Sequence, residues 1–218
     1  GVDTLSELQA VANTGATNAA NAAAAALTAI KDAAESNNAS DSNVAASVFA
    51  TAGVTGVDAT NVAAIQSALN STPVNGNAAD TAAEVQVIVD AYKVIKDNAD
   101  TPATTNATAA QYTTVGVTGI DTAPKASLLG DVVDTKAFAD VDTVVPELQN
   151  LATAAAAVIG GAGTGTAPTL AQLQALGITG VTDANLAAIQ AAIAATPDDG
   201  TGVDTLSELQ AVANTGAT

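Results

Sequence analysis

Residues 1–17 read GVDTLSELQAVANTGAT, and residues 202–218 carry the same letters without one substitution. Identity over that length marks a tandem duplication, in which residue 1 maps onto residue 202 with a period of 201 residues. The chain is therefore expected to be slightly more than one period of a longer array, with the cut falling inside a unit. The lack of any methionine agrees with this.

A degenerate repeat lies within the period. It is anchored by Gly53-Val54-Thr55-Gly56, Gly116-Val117-Thr118-Gly119 and Gly177-Ile178-Thr179-Gly180, which stand 63 and 61 residues apart. The next copy of Gly53 would follow Gly177 by 77 residues, so the third interval holds an insertion. Reading the three intervals against one another gives the same order each time: helix, turn, helix, loop, helix.

The helix before each anchor carries one apolar stripe, at Ala46, Phe49 and Ala52, at Ala109, Tyr112 and Val115, and at Leu170, Leu173 and Leu176. Phe49, Tyr112 and Leu173 share a position, which reads as core filler rather than a binding platform. The first anchor glycine then sits where a helix ends in a left-handed residue. Asp58, Asp121 and Thr182 are placed to cap a second helix, with stripes at Val62, Ile65 and Leu69, at Lys125, Leu128 and Val132, and at Leu186, Ile189 and Ile193. Lys125 can snorkel from such a position.

The third helix is expected from Asp80, Asp142 and Asp204. Thr81 with Glu84 and Thr205 with Glu208 have capping-box spacing, and the middle interval offers Asp142 with Pro146 and Glu147. Its stripes are Val85, Ile88, Tyr92 and Ile95, then Leu148, Leu151, Ala155 and Val158, then Leu206, Leu209 and Val212. Asn18 to Glu35 is a further alanine-rich helix, continuous with or hinged from the third helix of the preceding copy, and reads as a strut between modules. Breaker-rich joints fall at 37–43, 100–108 and 160–168.

The expected fold is all-α: tandem small three-helix modules, three per 201-residue period, forming an extended repeat array. The organisation is 1–36 as the C-terminal helices of a module begun in the preceding copy, 44–99 and 109–160 as modules, and 169–218 as the start of a module that continues into the next copy. With no Cys, Met, Trp or His and only two Tyr and two Phe, the cores rest on Ala, Val, Leu and Ile. A module of about 60 residues buries only ~60% of its unfolded surface, so modules should lean on their neighbours.

The net charge of −17, from 22 acidic against 5 basic residues, disfavours nucleic acid and anionic membrane as partners. No apolar run is long enough to insert this segment in a membrane; Ala22 to Ile30 is alanine-dominated and flanked by Asn21 and Lys31. Without His or Cys the commonest bases and nucleophiles are missing, and the carboxylates fall at helix starts, so the chain is not expected to be an enzyme. Gly160 to Gly165 lacks the lysine of a phosphate-binding loop and reads as a hinge.

One segment, Thr196-Pro-Asp-Asp-Gly-Thr-Gly-Val-Asp204, has closely spaced acidic oxygens and turn glycines suited to a hard cation. Asp198, Asp199 and Asp204 are the candidate Ca2+ ligands. The other two intervals do not repeat the pattern, which favours a solvated turn.

The run Leu173-Gln-Ala-Leu-Gly-Ile-Thr-Gly-Val-Thr-Asp-Ala-Asn-Leu-Ala-Ala-Ile-Gln-Ala-Ala-Ile193, with Asp198 to Gln210 after it, resembles the small helical tandem repeats of very large bacterial surface and adhesin-like proteins. The likeness covers the third module well, the first moderately and the second weakly, where Asp121-Thr-Ala-Pro-Lys-Ala-Ser departs. It implies a structural, extracellular role as a stalk, filament or surface-layer building block at the cell surface, with identical repeats as partners. It supplies no catalytic or binding residues. The alternative is an adhesin module that binds a host or matrix protein through a helix face.

Overall fold

The computed structural model describes residues 3–36, 44–100, 105–163 and 165–217. Ten α-helices are present among them, and no strand: α1 (Leu5–Ser36), α2 (Ala46–Thr51), α3 (Val62–Leu69), α4 (Ala82–Asp100), α5 (Ala109–Thr114), α6 (Ala123–Asp134), α7 (Gln149–Gly161), α8 (Leu170–Ala175), α9 (Leu186–Ala194) and α10 (Leu206–Gly216). Short 3-10 turns at 76–78 and 138–140 and a π-type turn at 144–148 complete the helical content. The joint expected at 37–43 lies outside the described residues, as does 101–104 of the next.

The short helices α2, α5 and α8 are six residues each and could not stand alone. Phe49, Tyr112 and Leu173, one per helix, are fully buried and hold them to the core. Each then stops in the same way. Gly53, Gly116 and Gly177 take φ of 87°, 92° and 85°, and the next amide reaches back to the buried residue: Val54 to the Phe49 carbonyl (2.9 Å), Val117 to Tyr112 (2.9 Å), Ile178 to Leu173 (3.0 Å). This is the left-handed stop that the anchors announce. Thr108 with Gln111 and Thr169 with Gln172 form capping boxes at the other ends of α5 and α8.

Tyr112 differs from Phe49 by a hydroxyl that has no hydrogen-bond partner, and burial raises its pKa well above the usual tyrosine value. An unpaired buried hydroxyl costs about 1–3 kcal/mol. Tyr112→Phe is accordingly expected to stabilise the protein by about 1 kcal/mol, raising the thermal midpoint by roughly 2–4 °C for a chain of this size. A thermal melt followed by circular dichroism checks it.

Helix two departs from expectation at its start. Asp58 and Thr182 do not cap α3 and α9; those helices begin after Asn61 and Asn185. The Asn61 amide donates to the Gly56 carbonyl (2.7 Å) and accepts from the Asp58 N–H (2.9 Å), and Asn185 does the same between Gly180 and Thr182 (2.8 Å each). These two hydrogen bonds to the turn hold Asn61 at φ −127° and Asn185 at φ −111°, and regular helix starts at the next residue. Asp58 instead accepts from the backbone and hydroxyl of Thr60. Asp121 binds Lys125 (2.6 Å), whose stem lies along α6 while its ammonium reaches the surface.

The third helices start as capping boxes at Thr81 with Glu84, and hydroxyl to amide at Thr205 with Glu208. In the middle interval Glu147 accepts from the backbone and hydroxyl of Thr143, the Val145–Pro146 bond is cis, and α7 begins only at Gln149. Val85, Ile88, Tyr92 and Ile95 are buried on α4, and Leu148, just before α7, is buried with Leu151, Ala155 and Val158 on α7.

These long helices tie the chain together. α4 packs against α3 before it and against α5, α6 and the 138–140 turn after it; α7 packs against α6 and then α8 and α9. On α4 the Tyr92 hydroxyl donates to the Val141 carbonyl (2.9 Å), and its ring meets Phe138 edge-on at 6.3 Å. Part of the glycine-rich stretch read as a hinge continues the helix before it. Gly160 and Gly161 belong to α7, and the Gly163 N–H donates to the Thr196 carbonyl (3.1 Å).

Candidate functional site

The acidic loop comes first because its residues suggest a cation. The Asp199 carboxylate is engaged locally: it accepts from the Thr201 backbone (3.0 Å) and hydroxyl (2.8 Å), which lowers its pKa. Asp198 sits against Gly163, and a Cβ added there would meet the Asp198 Cβ at 2.7 Å. Asp204 faces Glu208 one turn into α10. Its pKa is raised, first by burial and then by the hydrogen bond and charge of Glu208. Among the described residues no group of three or more His, Cys, Asp or Glu side chains is gathered around a point where an ion would sit. The loop therefore does not bring Asp198, Asp199 and Asp204 together as one ligand set.

Asp204 and Asp142 share this character. Burial and then Glu147 raise Asp142, and Asp140 adds to it. A carboxyl whose folded pKa is raised contributes stability that is complete below its unfolded value, ~3.9, and is lost as pH climbs through the folded value. Asp204→Asn has no such loss. Its stability advantage over the parent is expected to be absent near pH 3.5, to grow as pH rises through the window above ~4, and to level off by neutrality. Thermal midpoints of both proteins across that range test it. A difference that shrinks as pH rises contradicts the assignment.

A cleft of about 640 Å3 opens between the starts of α5 and α6. Its one ionisable wall residue, Asp131, is already bound to the Asn106 side chain (3.0 Å) and to the Leu206 N–H (3.0 Å). Alanine, threonine, serine and asparagine make up the rest, which gives no nucleophile paired with a base.

The arrangement that recurs on the surface is a clasp. The backbone N–H and hydroxyl of Thr55 donate to Gln86 Oε1 (2.8 and 3.2 Å), and Gln86 Nε2 donates back to the Thr55 carbonyl (3.2 Å). Thr118 with Gln149 and Thr179 with Gln210 repeat the three bonds, each pair 31 residues apart. Each clasp pins an anchor turn to the long helix that follows it. The threonine lies in the anchors already singled out; the glutamines, each 33 residues after its anchor glycine, escaped because they are polar residues on an outer face.

The duplicated segment is seen in two surroundings. In α10, Leu209 is fully buried, Leu206 and Val212 are half-buried, and the helix lies along α9. Gly216 comes so close that an added Cβ would stand 2.6 Å from the Ile189 Cα. At the other end the identical Leu5, Leu8 and Val11 on α1 are 82%, 56% and 57% exposed, and Gly15 has nothing within 4 Å of where a Cβ would be. Gln9 keeps the bond to Asn13 (2.9 Å) that Gln210 makes to Asn214 (2.9 Å), but no anchor threonine faces it among the described residues. The buried part of α1 is its second half, Ala26, Ile30, Ala33 and Ala34, against α2 and α3.

No described helix is long and apolar enough to cross a membrane. No family model, no curated protein and no solved structure matches the chain.

Proposed function

We propose that this chain is a structural repeat segment of a giant extracellular bacterial surface protein, a stalk, filament or surface-layer building block that performs no catalysis, built as tandem three-helix modules. The observation that carries the reading is the unchanged recurrence of residues 1–17 as 202–218, because one segment then both closes a unit, as α10, and opens a longer helix, as α1. The clasp that recurs three times supports it, since it ties each anchor to its own long helix by the same bonds. Acidic surfaces and alanine-rich cores suit a part whose number of copies sets a length.

The test is electron microscopy of a purified tandem array, with calcium and with chelator. Strands or ordered filaments support the reading, and dissolution on chelation would add a role for the acidic surface. Compact, unconnected particles of a single period, or a native protein that holds only one copy, overturn it. The adhesin reading keeps one observation of its own, the exposed apolar face on α1. A stoichiometric host or matrix protein captured by that face would establish it.

A further inference from the structure

We propose that the Leu5-Leu8-Val11-Gly15 face of α1 is a docking surface whose occupant is α9 with the anchor turn before it, residues 177–196, flanked by Asp131 of α6, of a second copy of this chain. The proposal rests on the structural-repeat reading and specifies its joint.

The argument is a substitution of like for like. α10 carries the same seventeen-residue segment and shows what that segment binds: Leu209 fills the space beside α9, Gly216 admits the α9 backbone, Gln210 clasps Thr179, and the Leu206 N–H is received by Asp131 of α6. Every one of these has its counterpart on α1, in Leu8, Gly15, Gln9 and Leu5. The counterparts are already helical, through Leu5–Ser36, and already capped by Thr4 with Glu7. A second copy therefore meets a preformed face, with no helix left to nucleate. α4 and α7 each pack against helices before and after them in the chain, and docking puts α1 in the same position. Its 32 residues, about 48 Å of helix, then join two copies as one rigid element, the first half on the copy before and the second half on its own α2 and α3. The contact is head-to-tail, with different surfaces on the two partners, so each copy offers its own seat to the next.

Within one chain α10 already holds the seat, and a tethered segment outcompetes a free one by an effective concentration of order mM. The experiment vacates the seat in the full chain. Leu209→Asp removes the apolar anchor of α10, and Gly216→Leu lifts α10 by collision with the α9 backbone while leaving every seat residue in place. Each variant is expected to associate, its average mass by sedimentation rising roughly twofold or more as concentration passes ~0.1–1 mM, the range for a single helix face. Adding Leu8→Asp to either must return it to monomer, and Leu8→Asp alone must leave the parent unchanged. Monomers throughout, or association that Leu8→Asp does not abolish, overturn the docking surface. Two variants with different lesions guard against one of them simply misfolding. A negative result here would leave the array reading to its own test, because modules can follow one another in a chain without sharing a docked helix; a single-copy native protein would sink the array reading whatever these variants do.

Discussion

Leu209→Ala should cost about 2–5 kcal/mol, and the same substitution at Leu8 less than about 0.5 kcal/mol. The two residues occupy the same position of the same segment, so propensity, local sequence and unfolded state are matched as closely as one chain permits. Only the surroundings differ: Leu209 is sealed against α9, and Leu8 faces solvent. The difference therefore isolates what burial contributes. α10 lies at the end of its packed unit, so part of the loss appears as local undocking, and amide exchange across Leu206–Gly216 reads it more directly than a global melt. Equal effects at the two positions would mean that α10 is not seated as described.

Tyr92→Ala is the other large effect, about 3–5 kcal/mol, or a fall in thermal midpoint of roughly 6–20 °C. Tyr92 is buried on α4 yet bonds across to the loop before α7, through its hydroxyl to Val141 and its ring edge to Phe138, over which the Lys96 ammonium also lies at 5.0 Å. Truncation opens a cavity between the α4 region and the next, and strands the Val141 carbonyl. Tyr92→Phe keeps the ring and loses only the bond, at about 1–2 kcal/mol. Urea unfolding of the three proteins separates these contributions. If Tyr92→Phe matched Tyr92→Ala, the ring would not be acting as a packed core residue.

Much of the fold was legible before any coordinates because the chain could be read against itself. A six-residue helix such as α2 gives almost no periodic signal alone. Phe49, Tyr112 and Leu173 in register, each followed by a glycine four residues later, made the buried position and the stop visible together. The same comparison stopped short at polar positions. Asp58 looked like a cap because it is a good acceptor near a helix start, whereas the residue that sets the start is Asn61, whose amide can donate and accept at once. Gln86, Gln149 and Gln210 keep a fixed offset from their anchors, but an exposed polar side chain leaves no mark on hydrophobic periodicity. In the acidic loop, spacing along the chain brings Asp198, Asp199 and Asp204 close in number, while Asp199 accepts from Thr201 and Asp204 faces Glu208. The alanine-rich strut was legible as helix, and its unbroken continuity with the duplicated segment is what the coordinates added.

The sharing of α4 and α7 between neighbours bears on how such a chain yields to a pull. Beads joined by slack string come apart one by one, each release lengthening the whole by a small and similar amount. In the proposed array a tug that freed one bead would also strip a wall from the next, because the helix leaving the first is the helix lining the second. Strain would be handed along instead of being absorbed where it enters, and yielding would arrive late, in long steps that carry several beads at a time.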